Sequence, residues 1–104
     1  MYATIRRYEG VDQGRTAEIS KRVDESLMPR LTQLPGFGGY FLMDSGNGII
    51  TSFSMFETSA QADESSRVAA KWLKDEKLDG AIPNAPKVTA GEVLAHSKKT
   101  PVLA

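Results

Sequence analysis

A candidate β-hairpin constrains the fold of this chain more than any other feature of its sequence. The segment reads FGGYFLMDSGNGIITSFSMF, with β-prone runs at residues 37–43 and 49–56 on either side of the turn sequence DSGNG. Asn47 and Gly48 tolerate the positive φ angles that tight hairpin turns require. The segment therefore predicts two antiparallel strands joined by a short turn.

A strand and a helix are predicted before the hairpin. Residues 2–9 are β-rich and are followed by Gly10, which predicts a first strand. A helical stripe follows, formed by apolar residues at spacings of four, four, four and three: Ile19, Val23, Leu27, Leu31 and Leu34. Pro29 lies within this stripe and removes a backbone donor, at a cost of about 3 kcal/mol in a straight helix. We therefore expect a kink or a break near Met28.

A second helix and a last strand are predicted after the hairpin. Thr58 and Gln61 have the spacing of a capping box at a helix start, and Gly80 is the expected end of that helix. After the loop AIPNAPK, residues 88–96 predict a strand, with Gly91 as a candidate bulge. The packed side of the helix is predicted to carry Ala62, Ala69, Trp72 and Leu73.

The predicted order of elements is βαββαβ, which is typical of an α+β fold. With right-handed crossovers this order gives the ferredoxin-like plait, a four-stranded antiparallel sheet with two helices on one face. We expect this domain over residues 1–96 and a C-terminal tail over residues 97–104. Strict alternation places Tyr2, Thr4, Tyr8, Tyr40, Leu42 and Phe56 on the open face. That face would be too apolar for water, so we expect a homodimer in which two sheets pack face to face.

Composition excludes several classes of function. Lys+Arg and Asp+Glu are equal at 13 each among 104 residues, so no net charge attracts nucleic acid or an anionic membrane as a partner. The chain contains no cysteine, which removes disulfides and thiolate chemistry. Because no segment approaches the ~18 apolar residues of a membrane span and the chain starts without a signal-peptide pattern, we expect a cytoplasmic protein.

The order of elements and three segments resemble a known family. The segments are LPGFGGY, SSRVAAKWL and VTAGEVLAH, and the resemblance runs from Tyr2 to about His96. They are similar to antibiotic biosynthesis monooxygenase-like proteins of the dimeric α+β barrel superfamily. The resemblance implies a dimeric α+β barrel, and the superfamily includes cofactor-free monooxygenases, haem-degrading enzymes and isomerases.

The haem-degrading branch of that superfamily matches this chain at one of three signature positions. Trp72 corresponds to its pocket tryptophan, but Arg7 occupies the position of its strand-one asparagine, and the iron-ligating histidine would fall near Ile82. We therefore expect no haem and no other cofactor. The quinone-forming monooxygenases surround a planar aromatic substrate with polar groups and no metal, and the resemblance implies that Tyr40, Trp72 and Arg7 could serve here.

Trp72 and His96 each have a structural and a functional interpretation. A lone tryptophan on a packed helix is usually an anchor that buries about 200 Å², although its indole could also form one wall of a pocket. His96 could be a general base, but a solvated histidine at a strand end is more common. With one histidine and no cysteine, a transition-metal site is not expected.

Arg6 and Arg7 are neighbours on a strand and must point to opposite faces of the sheet. If Ala3 and Ile5 face the helices, so does Arg7, which then needs a carboxylate such as Glu92 or Asp63, or an anionic ligand. Arg6 would in that case point into the space between subunits. The residues expected beside it there are Thr4, Ser52 and Ser54.

Two functions of different classes remain open from the sequence. The first is a cofactor-independent monooxygenase that acts on or binds a small aromatic or quinone-like molecule. The second is a non-catalytic dimeric module that binds a small ligand or has a structural role. A cavity with several converging polar groups near Trp72 would favour the enzyme, whereas a filled apolar interior would favour the module. The ligand-pocket candidates are Trp72, Arg7, Tyr40 and His96.

Overall fold

A computed structural model describes residues 1–97 of the chain. The strands are β1 (Tyr2–Tyr8), β2 (Phe37–Gly46), β3 (Ile49–Phe56) and β4 (Lys87–Glu92). The α-helices are α1 (Thr16–Arg22), α2 (Met28–Thr32) and α3 (Ser59–Asp75). A 3₁₀ turn, Gln13–Arg15, precedes α1, and a π-helical turn, Val23–Leu27, joins α1 to α2.

The four strands form one antiparallel sheet in the order β2-β3-β1-β4. The broken first helix and α3 cover one face of this sheet, so the predicted ferredoxin-like α+β fold is confirmed. No helix within residues 1–97 is long and apolar enough to cross a membrane. The predicted tail at 97–104 falls almost wholly outside the described residues and stays a prediction.

The hairpin forms, but its turn consists of only Asn47 and Gly48, and the first three residues of the predicted turn DSGNG belong to β2. Asn47 and Gly48 have φ angles of 56° and 74°, so both adopt the left-handed conformation that a two-residue hairpin turn needs. The second of these positions is also crowded, because a Cβ on Gly48 would lie 3.0 Å from the carbonyl oxygen of Val11. Glycine is therefore favoured there both by the backbone angle and by the space.

The break expected near Met28 takes the form of the π-helical turn that ends at Leu27, one residue before α2 begins. Pro29 then occupies the first turn of α2, where its missing N–H is least costly. The proline therefore costs less here than it would in the interior of a straight helix. The apolar stripe survives the change, since Ile19, Val23 and Leu31 are all buried.

The end of α3 and the extent of β4 differ from the predictions. The capping box of Thr58 and Gln61 is present in both directions, at 3.1 and 3.2 Å. However, α3 ends at Asp75 rather than at Gly80, because Lys77 adopts a left-handed φ of 56° that stops the helix earlier. The last strand is shorter than residues 88–96, and Gly91 pairs in regular register with Ala3, so the predicted bulge is wrong.

The sheet faces the helices with the opposite side from the one predicted. Thr4 and Phe56 are buried beneath the helices, and Tyr8, Tyr40 and Leu42 pack against the same core. The expectation that these residues form the open face is therefore wrong. The residues that alternate with them along the strands lie on the open face instead: Ala3, Ile5, Arg7, Phe41, Met43, Thr51, Phe53 and Met55. Alternation defines two sets of side chains, but it does not determine which set the helices cover.

Candidate ligand-binding site

Arg6 is the charged centre of the covered face. Arg6 is 7% exposed and pairs with Ser52 on the neighbouring strand β3. Along β1 it lies between Thr4 and Tyr8, whose side chains are on the same face. One terminal guanidinium nitrogen lies 3.5 Å from the Ser54 hydroxyl, and the other donates to the hydroxyl of Ser66 on α3. The predicted association of Arg6 with Thr4, Ser52 and Ser54 is thus correct, but the group lies under the helices and not between subunits.

A small cavity lies between the sheet and the helices. Its volume is about 40 Å³, enough for about three water molecules. Arg6, Tyr8 and Tyr40 line it from the sheet, and Trp72 and Ser65 line it from α3. Aliphatic residues form most of the rest of its wall: Ile19, Val23, Leu27, Leu31, Leu42, Ile50, Ala69, Leu73 and Ile82.

A larger cleft adjoins this cavity where the loop before β4 passes α3. It has a volume of about 420 Å³ and is bordered by Ser66 and Lys74 on α3 and by Pro83 and Asn84 on the loop. The loop is held in place by a 3.0 Å hydrogen bond from the Asn84 side chain to the Glu9 carbonyl. Cavity and cleft share part of their lining: Arg6, Tyr8, Ala69, Leu73 and Ile82. The cleft and the cavity therefore lie next to each other, on either side of these shared residues.

The two cavity tyrosines retain their protons at neutral pH. Burial, and to a smaller extent the nearby Tyr8, raise the pKa of Tyr40 to about 12, against the opposing influence of Arg6 and of the Ser52 hydroxyl. Burial also raises the pKa of Tyr8, again opposed by Arg6. Both phenols are therefore hydrogen-bond donors, because low-dielectric surroundings disfavour the charged phenolate.

Trp72 combines an anchoring contact with a position on the cavity wall. It is 2% exposed, and its indole N–H donates a 2.9 Å hydrogen bond to the hydroxyl of Ser26. This bond joins α3 to the π-helical turn, so the indole nitrogen is directed at the neighbouring helix. The remaining indole surface is available to line the cavity.

Arg7 and His96 lie outside the cavity and the cleft. Arg7 is on the open face, where its Nε is 3.0 Å from a carboxylate oxygen of Glu9, so the expectation that Arg7 faces the helices is wrong. The reason is the parity of β1, in which Arg6 takes the inward position. His96 is exposed beyond the end of β4 and borders neither space.

The contribution of the helix serines Ser65 and Ser66 was not predicted from the sequence. Ser65 and Ser66 both donate to the Ala62 carbonyl, at 2.6 and 3.1 Å, and Ser66 also accepts from Arg6. The sequence signal that could have indicated this role is a pair of adjacent serines in a helix whose packed side is rich in alanine. Among residues 1–97, no group of three or more His, Cys, Asp or Glu side chains could hold a metal ion.

Solved structures with the same fold include proteins with and without a stated activity. A protein of unknown function from Nitrosomonas europaea, NE2512, superposes with a TM-score of 0.75 at 20% identity, covering 95% of this chain and 94% of that one. A monooxygenase from the gene ActVA-Orf6 of Streptomyces coelicolor, in complex with the ligand Nanaomycin D, has a TM-score of 0.70 at 10% identity, covering 95% and 92%.

A structure described as an antibiotic biosynthesis monooxygenase gives a TM-score of 0.66 at 14% identity, covering 91% of this chain and all of that one. No protein-family model and no curated protein matches the chain. At these identities the likeness concerns the fold, and it confirms at that level the resemblance seen in the sequence.

Proposed function

We propose that this chain binds a small, planar aromatic or quinone-like molecule in the cleft and oxygenates it without a metal or an organic cofactor, as an antibiotic biosynthesis monooxygenase-like protein. The observation that carries this proposal is the cleft of about 420 Å³, which shares the polar side chains of Arg6 and Tyr8 with the cavity beside Trp72. Its volume lies in the range of about 300 to 1,000 Å³ that is typical of small-molecule sites. A fold neighbour that holds Nanaomycin D supports a ligand of this kind.

The cavity of about 40 Å³ is too small for an aromatic ligand, so the ligand would lie mainly in the cleft and reach toward the cavity with one edge. Arg6, Tyr8 and the α3 residue Ala69 border both spaces and would contact that inner edge. The apolar part of the cleft, formed by residues such as Leu73 and Ile82, would cover the ring faces. This division of polar and apolar contacts is typical of sites that orient a planar molecule.

The proposed reaction converts a ring CH₂ group to a carbonyl, consuming one O₂ and releasing one water. The substrate itself supplies the electrons, so no further reductant is needed. The groups that Arg6, Tyr8 and Tyr40 provide are hydrogen-bond donors, which would stabilise the negative charge that develops on a ring oxygen as the substrate is oxidised. The chain would thus act by positioning and electrostatic stabilisation.

We also propose that the chain forms a homodimer through the open face of its sheet. Phe41 and Met43 are 65% and 57% exposed, and Ile5 on the neighbouring part of the sheet is 38% exposed. The rings of Phe41 and Phe53 lie together with centroids 6.1 Å apart, which makes the patch continuous across β2 and β3. An apolar sheet face of this kind is suited to packing against its own copy. A cytoplasmic location, proposed with it, agrees with a chain that contains no cysteine.

Fluorescence and oxygen uptake together test the proposed function. Planar aromatics with a ring CH₂ group, such as anthrone, are titrated into the protein while Trp72 emission is followed, and O₂ consumption is then recorded with the same compounds. Saturable quenching with protein-dependent O₂ uptake is the expected result. Saturable quenching with no uptake by any compound would support the alternative, a non-catalytic binding module, and would overturn the enzymatic part of the proposal.

A blocked cleft provides the matched control for this experiment. Ala69 borders both the cavity and the cleft, so the larger side chain of Ala69→Phe should occupy the space where they adjoin and abolish quenching. Ala60 lies on the same helix but is exposed and away from both spaces, so Ala60→Phe should leave ligand binding intact. Equal quenching in the two variants would show that the ligand binds elsewhere.

A further inference from the structure

The charge of Arg6 is not balanced by a carboxylate. Among residues 1–97, the ion pairs involve other cations, and no Asp or Glu lies within ion-pair distance of the Arg6 guanidinium. Its side-chain partners are two neutral hydroxyls, Ser54 and Ser66. A guanidinium is always protonated in proteins, and a buried charge is costly unless an opposite charge is close. Arg6 therefore lies in a site that is favourable for an anion.

The guanidinium also retains free donors that face open space. The two serines use two of its five N–H groups, and its Nε makes no hydrogen bond within residues 1–97. In the same part of the chain, no buried side-chain nitrogen or oxygen is both sealed from water and without a hydrogen-bond partner. Nε must therefore be accessible to water-sized molecules, and the spaces that Arg6 borders are the cavity and the cleft.

The other polar groups of the cavity favour an anion as well. None of the described residues that line it is an aspartate, a glutamate or a histidine, so the wall offers no acidic or imidazole acceptor. Tyr8 and Tyr40 contribute O–H donors, and Ser52 and Ser54 contribute hydroxyls. In the adjoining cleft, Asp79 is exposed at the border, together with Lys74 of opposite charge. The interior is therefore positive without a compensating negative group.

We infer that the ligand of this cleft carries an anionic oxygen group, a carboxylate or an ionised ring hydroxyl, which enters the cavity and binds the guanidinium of Arg6. The inference rests on the proposed function only in placing the ligand in this cleft. The planar fork of arginine matches the two oxygens of a carboxylate, or the adjacent oxygens of an ionised hydroxyquinone. The aromatic part of the ligand would remain in the cleft beyond Ala69.

Two pairs of compounds with the same shape and different charge test this inference. The first pair is 2-naphthoate and 2-naphthamide, and the second is 2-hydroxy-1,4-naphthoquinone, which is ionised at neutral pH, and its neutral 2-methoxy analogue. We expect the anion of each pair to bind about 10- to 100-fold more tightly, the range expected of hydrogen bonds to a charged group. The two pairs also distinguish a carboxylate from an ionised hydroxyl as the preferred group.

Variants of the two neighbouring arginines complete the experiment. Arg6→Gln should remove the preference for the anion in both pairs, and Arg6→Lys should retain part of it because the charge remains. Arg7→Gln is the matched control, since Arg7 lies one residue away on the opposite face and should leave the preference unchanged. Circular dichroism and the melting temperature of each variant show whether it is folded before binding is compared.

The outcomes separate this inference from the proposed function. If neutral and anionic compounds of each pair bind equally to the wild type, the charge inference is wrong, while the binding of planar aromatics stands. If a preference for the anion persists in folded Arg6→Gln, another cation is responsible and the assignment to Arg6 is wrong. If none of the four compounds binds, both the inference and the proposed function fail.

Discussion

The two faces of the sheet depart from the usual distribution of polar and apolar side chains. The covered face holds an arginine and several hydroxyl side chains, with Arg6, Ser52 and Ser54 each no more than 7% exposed. The open face holds Phe41 and Met43, which are more than half exposed. In most two-layer folds the apolar side of a sheet packs against the helices and the polar side contacts water.

The polar side chains on the covered face limit the stability that its burial can provide. Polar groups under a helical layer contribute little hydrophobic stabilisation and must be hydrogen-bonded, as Arg6 and Ser66 are. The apolar contribution to the core comes mainly from the helices and loops, through residues such as Ile19, Leu27 and Trp72. Local departures of this kind from the usual pattern are typical of functional sites.

The largest effect is expected where the two helices meet over the covered face. Trp72→Ala removes a side chain that is 2% exposed together with its bond to Ser26, so unfolding free energy should fall by about 3 to 5 kcal/mol. Trp72→Phe, which keeps most of the volume, should cost about 1 kcal/mol for the lost hydrogen bond. Urea denaturation of the three proteins measures both. A decrease of less than 1 kcal/mol in the unfolding free energy of Trp72→Ala would show that Trp72 is not a core residue.

On the open face, a charge at Phe41 tests the proposed dimer. Phe41→Glu places a carboxylate within the apolar patch and should raise the dimer dissociation constant by at least about 30-fold. Ala60→Glu, on the exposed start of α3, should leave association unchanged. Sedimentation velocity over a range of concentrations measures both variants. A wild-type protein that is monomeric at micromolar concentration would contradict the proposal outright.

Alkaline pH should affect the covered face through Tyr40. Its folded pKa of about 12 exceeds the ordinary value of 10, so between these values the unfolded chain loses a proton that the folded chain keeps. Stability is therefore unaffected below about pH 10 and falls as the pH rises toward 12, with a slope of up to about 1.4 kcal/mol per pH unit. Tyr40→Phe should flatten this slope in denaturant unfolding at several pH values. An identical slope in both proteins would show that the phenol is not shielded.

The smallest effect on stability is expected from removing the charge of an arginine. Most substitutions lower the stability of a protein, but this one should leave it unchanged or raise it. Arg6→Met takes away a buried cation that has no carboxylate partner, so stability should stay the same or rise by about 1 kcal/mol. Arg7→Met, on the open face, should change it by less than about 0.5 kcal/mol. Thermal and chemical unfolding compare the pair. A decrease of 3 kcal/mol or more in the unfolding free energy of Arg6→Met would show that Arg6 stabilises the fold.

Local signals in the sequence were sufficient for the elements and their order. The Asn47-Gly48 turn, the capping box at Thr58 and most of the helical stripe through Ile19 depend on interactions within a few residues and appear in the structure. Leu34, the last residue predicted for that stripe, lies beyond the end of α2 at Thr32. The end of α3 was missed because Lys77, a residue without a strong turn preference, adopts the left-handed angle ahead of Gly80. Backbone geometry of that kind is decided by how the following loop packs.

The sequence by itself determined which residues share a face of the sheet, because the period of a strand is two. It grouped Arg6 with Ser52 and Ser54 and separated it from Arg7. Only the tertiary structure decided which group the helices cover, since that choice depends on contacts between distant segments, such as the bond from Arg6 to Ser66, which lies 60 residues away. Tyr40, Trp72 and Arg6 line one cavity for the same reason. The spacing of these three residues along the chain does not predict the cavity, because the three elements that carry them meet only after the chain has folded.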